Sequence, residues 1–168
     1  MKVGQEGHPY DWDNMLEEYF DEYWSPLYND EQALAVAQLM SDVGRAMKME
    51  YGRESTTYNT APFTALTDYF IYDPDLIQMI FRNMVSLAQW TEIIKKDINE
   101  KRPVYYYGNS NDGGHMFVCD GYDSNDLFHI NWGWGGYCDG FFDITVLNPN
   151  SNDGTGASVT ADGFDMLN

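Results

Sequence analysis

Residues 113–136 constrain the fold of this chain more than any other stretch. The run Gly113-Gly114-His115-Met116-Phe117-Val118 opens on a glycine pair and is β-prone. Asp123-Ser124-Asn125-Asp126 is turn chemistry, and Leu127 to Trp132 is a second β-prone run. Gly133 to Gly136, in the sequence Trp-Gly-Trp-Gly-Gly, then bends the chain. Two such runs about a turn predict a hairpin, with one strand over 115–122 and its return over 127–132. That hairpin brings Asn131 back towards His115. Register decides whether the two meet, because a one-residue slip turns Asn131 to the other face.

The remaining pattern predicts an α+β chain, one domain over 1–168, mainly helical over 1–100 and an antiparallel sheet over 101–168. Trp12, Met15, Leu16, Tyr19, Phe20 and Tyr23 recur by threes and fours, which predicts a helix over 11–23 started by Asp11. Asn29-Asp30 is a second start signal. Leu34, Ala37, Met40, Val43 and Met47 form the apolar stripe of the helix that follows. Residues 52–59 read as a polar loop and 62–70 as a short helix with proline in its first turn. Residues 76–85 fit neither period cleanly and are taken as a strand. Trp90, Ile93, Ile94 and Ile98 line one side of a helix over 88–99. Val104 to Tyr107 is a strand ending at Gly108, followed by a turn-rich loop over 109–114. A last strand covers 140–147, and 148–163 is a mobile surface loop.

Composition narrows the function. The 168 residues are 43% hydrophobic and 16% aromatic, enough for a packed core. No apolar run approaches the roughly 20 residues of a membrane helix, and no signal peptide is visible, so no membrane partner is expected. Nine basic against 27 acidic residues give a net charge of −18, which repels phosphate backbones and argues against nucleic acid. The two cysteines, Cys119 and Cys138, are too few for a disulfide framework or a four-cysteine zinc site, and both are expected to be unpaired. Three histidines without metal spacing make a metal site improbable, and no cofactor is expected.

His115 is the candidate general base, with room for a substrate made by the bare backbone of Gly113 and Gly114. Asn131 is the candidate for fixing its tautomer with a side-chain amide. Trp132 and Trp134 are candidates for shielding the imidazole and walling a substrate pocket, against the plainer reading of two core tryptophans. His129 shares the strand face of Asn131 and reads as a structural hydrogen-bonding residue. Asp120, Asp123 and Asp126 read as turn residues, since they lack the glycine and glutamate of an EF-hand. Glu17, Glu18, Asp21 and Glu22 read as a solvated face. Neither cysteine suits a nucleophile. Cys119 lies about 13 Å along the strand from His115 at a strand's rise per residue, and Cys138 follows the glycine bend.

The hairpin motif, with Tyr137-Cys138-Asp139-Gly140-Phe141-Phe142 and Leu147-Asn148-Pro149 behind it, closely resembles the streptopain family of bacterial cysteine peptidases. Tyr10-Asp11-Trp12-Asp13-Asn14-Met15-Leu16, Leu39-Met40-Ser41-Asp42-Val43-Gly44, Met49-Glu50-Tyr51-Gly52 and Arg102-Pro103-Val104-Tyr105-Tyr106 resemble segments of that family in the family's order. The resemblance implies a papain-like fold, a secreted endopeptidase acting on peptides or proteins, and synthesis with an inhibitory propeptide. It gives His115 the base role and places Asn131 and Trp132 in support.

The departures matter equally. In the family the nucleophile cysteine opens a helix ahead of the Tyr-Asp-Trp match. Only nine residues precede Tyr10 here, and none is cysteine. The expectation is a fragment at both ends, or a decayed relative: a chain that holds the His115, Asn131 and Trp132 half of the site and does not turn over alone. Its partners are then a peptide substrate, the missing N-terminal segment or a propeptide-like inhibitor. The alternative is a pseudo-peptidase that binds peptides on the same cleft; a weaker third is an aromatic-rich carbohydrate-binding module.

Overall fold

Two capping boxes set the long helices of this computed structural model, which describes residues 9–110 and 113–149. Contacts gather into two units that part between Met79 and Ile80.

In the first unit, helix α1 runs Asp30–Ala46. Asn29 accepts from the Gln32 amide while the Gln32 side chain accepts from the Asn29 amide, each at 2.9 Å. The helix is where the apolar spacing predicts it, but its buried face differs. Leu34 and Met40 are exposed, and the helix buries Ala35, Asp42, Gly44 and Ala46. Small residues win this face because aromatic rings press on it. Tyr10 donates to Oδ2 of Asp42 at 3.0 Å, and the Tyr51 hydroxyl occupies the space that a Cβ on Gly44 would need. A short helix α2, Ala61–Thr64, continues as one wide π-turn over Ala65–Tyr69.

The helix predicted over 11–23 is not formed; only Trp12–Asn14 makes a 3-10 turn. The cause is local competition for backbone donors. Oδ1 of Asp21 takes the amides of Tyr23 and Ser25, both at 2.8 Å, and the Tyr19 hydroxyl takes the amide of Leu16. Trp24 then adopts φ +62°, and Phe20 bridges to Pro26. The aromatic residues pack as a cluster, with Phe20 against both Trp24 and Tyr28, instead of as a helical stripe. Asp21 is therefore a turn anchor rather than part of a solvated face.

The second unit begins with an irregular segment. The strand predicted over 76–85 is absent: a 3-10 turn covers Arg82–Met84, and Leu76 and Met84 are exposed. Ile80 and Val85 pack on the core of this unit without a strand neighbour. Helix α3, Leu87–Asn99, starts at the Ser86–Gln89 capping box and buries Trp90 and Ile94 against the sheet.

The sheet is antiparallel throughout, in the order β1 (Val104–Ser110), β2 (Gly113–Tyr122), β3 (Phe128–Asn131), β4 (Gly140–Phe142). β1 passes Gly108 and pairs to Ser110, so most of the predicted loop over 109–114 is strand. Phe117 and Cys119 of β2 face the core with Phe128 and Ile130 of β3, as alternation requires. A bulge between Cys119 and Gly121 shifts the β2–β3 register. β4 is shorter than predicted, because Oδ1 of Asp143 takes the Thr145 amide at 2.8 Å and turns the chain. Ile144 and Leu147 still reach the core. Asn148 is buried, not part of a surface loop; the loop predicted beyond 149 lies outside the described residues.

Candidate active site

His115 stands on the core-facing side of β2, half-buried, opposite Gly108 of β1, which adds no side chain beside it. Its Nε2 lies 2.8 Å from the carbonyl oxygen of Trp132. A carbonyl only accepts, so Nε2 carries the proton in this contact and the lone pair of a neutral ring falls on Nδ1. The ring is set among aromatic faces, with centroids 4.9 Å from Trp134, 6.1 Å from Phe117 and 6.4 Å from Trp132. Trp132 is fully buried and stacks on Trp134, which is 40% exposed. The two tryptophans therefore divide the roles proposed for them: Trp132 belongs to the core beneath the imidazole, and Trp134 forms its open wall.

Asn131 is not brought to the imidazole. It pairs with Val118 of β2, three residues from His115, and alternation puts the two side chains on opposite faces. Its Oδ1 accepts the amide of Gly133 at 2.8 Å and holds the start of the glycine bend. The group that meets Nε2 is the backbone carbonyl of the next residue.

The glycine pair differs from its expected use as well. Gly114 lies on the face opposite His115, and the space above it is taken by Tyr107. A Cβ there would stand 2.5 Å from the Tyr107 hydroxyl oxygen and 2.9 Å from its ring. Gly114 thus makes room for a tyrosine of the neighbouring strand, not for a substrate backbone. Gly113 pairs with Ser110 at the end of β2.

Sequence reasoning missed Asp139. Its Oδ1 accepts the Trp132 amide at 2.8 Å, closing the loop that carries Trp134. The available signal was its place at the exit of a glycine-rich bend, directly before the Gly140-Phe141 strand.

The other candidates have separate roles. His129 Nδ1 lies 2.6 Å from Oδ1 of Asp120, and its ring meets Phe141 edge-on. Asp123 accepts the amides of Asn125 and Leu127 in the hairpin turn, bonds that hold its carboxyl below the usual range. Asp126 pairs with Lys95 of α3. Among the described residues no group of three or more His, Cys, Asp or Glu is placed to hold a metal, and no helix is long and apolar enough to cross a membrane. Both cysteines are unpaired thiols. Cys119 is fully buried, and burial pushes its thiol up to about 12, which keeps it protonated and unreactive. Cys138 is half-buried, with φ +64°, at the end of the glycine loop.

Comparison with known proteins gives a consistent picture. The sequence profile of the Peptidase C10 family matches residues 2–142. Streptopain of Streptococcus pyogenes is 39% identical over 151 residues, which are 89% of this chain and 36% of streptopain. The thiol protease/hemagglutinin PrtT of Porphyromonas gingivalis is 40% identical over 128 residues, 76% of this chain and 14% of PrtT. The chain thus spans about a third of the length of streptopain. The active wild-type interpain A cysteine protease of Prevotella intermedia superposes with a TM-score of 0.77 at 33% identity, covering 93% of this chain and 60% of that one. A prointerpain A fragment of the same organism superposes at 0.69 with 35% identity, covering 82% of this chain and 42% of that one.

Proposed function

The chain belongs to the peptidase C10 family, and on that footing we propose that it forms the histidine half of a secreted, streptopain-like cysteine endopeptidase. Its α+β fold is that of papain-like cysteine proteases. The observation that carries the proposal is the imidazole of His115, whose Nε2 meets the Trp132 carbonyl at 2.8 Å, a contact that puts the lone pair of the neutral ring on Nδ1.

A base held in this way is set for one task. A thiolate attacks the scissile carbonyl carbon, an S–C bond forms, and the C–N bond breaks as His115 passes a proton from Nδ1 to the leaving amine. Water then hydrolyses the thioester, giving up its proton to the same nitrogen. The ring faces of Trp132 and Trp134 support the imidazolium that exists between these steps, and Trp134 offers an open apolar wall to the peptide.

The thiolate in this reading comes from sequence outside the 168 residues. Cys119 is buried and protonated, and it lies four residues along a strand from His115. The chain alone then binds but does not hydrolyse, since loss of a nucleophile removes most of the rate. The proform of interpain A among the structural relatives supports a propeptide as a further partner.

The test compares the 168-residue chain with the native parent protein, whose intact mass is first read by mass spectrometry. A parent well above 19.3 kDa is expected to show thiol-dependent peptide hydrolysis that His115→Ala abolishes, with none from the short chain. Hydrolysis that survives His115→Ala overturns the base assignment. A parent of 19.3 kDa that binds peptides without cleaving them replaces it with the pseudo-peptidase reading.

A further inference from the structure

We infer that Asp139 is a positioning residue for His115, acting through the backbone of Trp132; this rests on the reading of His115 as the base. Two bonds meet on Trp132. Its amide donates to Oδ1 of Asp139 at 2.8 Å, and its carbonyl receives Nε2 of His115 at 2.8 Å. The direction of that carbonyl sets the plane and tautomer of the imidazole, so whatever fixes the Trp132 backbone fixes the base.

The need for such a fixing group lies in the chain that follows. Asn131 is the last residue of β3, so the ladder ends just before Trp132. Gly133, Gly135, Gly136 and Cys138 then have φ of +77°, +65°, +88° and +64°. Among the described residues this segment pairs with no strand. Asp139 closes it at the base, seven residues after Trp132 and directly before β4. The bond is charge-assisted, which makes it stronger than an amide–amide contact. Among the described residues, the Trp132 amide is the partner that the Asp139 side chain takes. The buried indole of Trp132 restrains the side chain of that residue, while the carboxylate restrains its peptide. Groups that orient a histidine from one step behind it set which nitrogen holds the proton.

A merely structural loop clamp would leave the tautomer of His115 alone, and the test reads that tautomer. The 168-residue chain is labelled with 15N at histidine, and the three imidazoles are assigned by single substitutions at His8 and His129. The wild type is expected to show His115 as a single Nε2–H tautomer at neutral to mildly alkaline pH. Asp139→Asn keeps an acceptor and is expected to keep that tautomer. Asp139→Ala is expected to lose it, giving exchange between the two tautomers while thermal unfolding stays cooperative. If Asp139→Ala does not fold, Asp139→Ser, whose hydroxyl is too short to reach the amide, is read in its place. A single Nε2–H tautomer retained without the acceptor overturns the inference, as does its loss in Asp139→Asn. The readout needs no turnover, so a correctly fixed imidazole in a parent protein that hydrolyses nothing would sink the base reading and leave this one standing.

Discussion

Asn131 and His115 occupy opposite faces of the sheet, and it is the carbonyl of Trp132, one residue further, that meets the imidazole. The side chain of Asn131 instead holds the Gly133 amide. Asn131→Ala should therefore cost the worth of one exposed hydrogen bond, about 0.5–1.5 kcal/mol, and leave the His115 tautomer unchanged. Chemical denaturation with 15N histidine spectra checks both. A variant of wild-type stability whose imidazole loses its fixed tautomer would restore the side-chain amide as the orienting group.

The two tryptophans beside His115 separate stability from access. Trp132 is fully buried and Trp134 is 40% exposed. Trp132→Ala should cost about 3–5 kcal/mol, in the range for truncating a large core side chain. Trp134→Ala should cost less, about 0.5–1.5 kcal/mol for the aromatic contacts it loses, while weakening peptide binding. Thermal unfolding and peptide titration of both variants make the comparison. Equal losses of stability would contradict the division of roles.

Gly114 offers a direct contrast between packing and substrate access. Because Tyr107 covers it, Gly114→Ala should force the ring aside and break its bond to Oδ1 of Asn109, at a cost of about 1 kcal/mol. In a Tyr107→Ala background the same change should cost much less, and a double-mutant cycle measures the coupling. No coupling, together with lost peptide binding, would return Gly114 to the substrate side.

The cysteines should label unequally. Native Cys119 is expected to resist iodoacetamide, because the thiolate is the reactive form and burial keeps this thiol protonated. Half-buried Cys138 should react first. Peptide mapping after timed alkylation decides it, and prompt modification of Cys119 in the folded chain would show that its cover opens readily.

The sequence was legible where local chemistry and packing agree. The Asn29-Asp30 start signal and the one-sided spacing of Trp90, Ile94 and Ile98 both mark real helices. The alternation through Phe117 and Cys119, answered by Phe128 and Ile130, is the core face of the hairpin. It failed where side chains compete with the backbone. The aromatic spacing of 11–23 is helical, yet Asp21 captures two amides and the rings cluster around a turn. The stripe on α1 was misplaced because Tyr10 and Tyr51 select small residues, a choice made by distant segments. At the site, the Gly-Gly-His and Trp-Gly-Trp-Gly-Gly runs and the family they resemble pointed to His115, Trp132 and Trp134, which the fold brings together. Register sent Asn131 away, and no periodicity announces a backbone carbonyl as the partner of a base.

Alkaline pH should unfold the protein through groups that folding keeps protonated. Burial raises the Cys119 thiol from 9.0 to about 12. Burial, with the Asp42 carboxylate behind it, raises Tyr10 to about 12, and burial raises Tyr106 as well. Above pH 9 the unfolded chain therefore binds fewer protons than the folded one, so stability falls as pH rises. The contribution is complete below the unfolded values and is lost progressively towards pH 12. Between pH 9 and 10 Cys119 of the unfolded chain titrates ahead of the tyrosines, with a slope of at most about 1.4 kcal/mol per pH unit for one group. Urea unfolding from pH 7 to 10.5 should show a midpoint that is level and then declines. Cys119→Ala should start from a lower stability and decline less steeply over that first unit, because the tyrosines and the shared surface charge remain. An identical decline in both proteins would show that Cys119 is not held protonated by the fold.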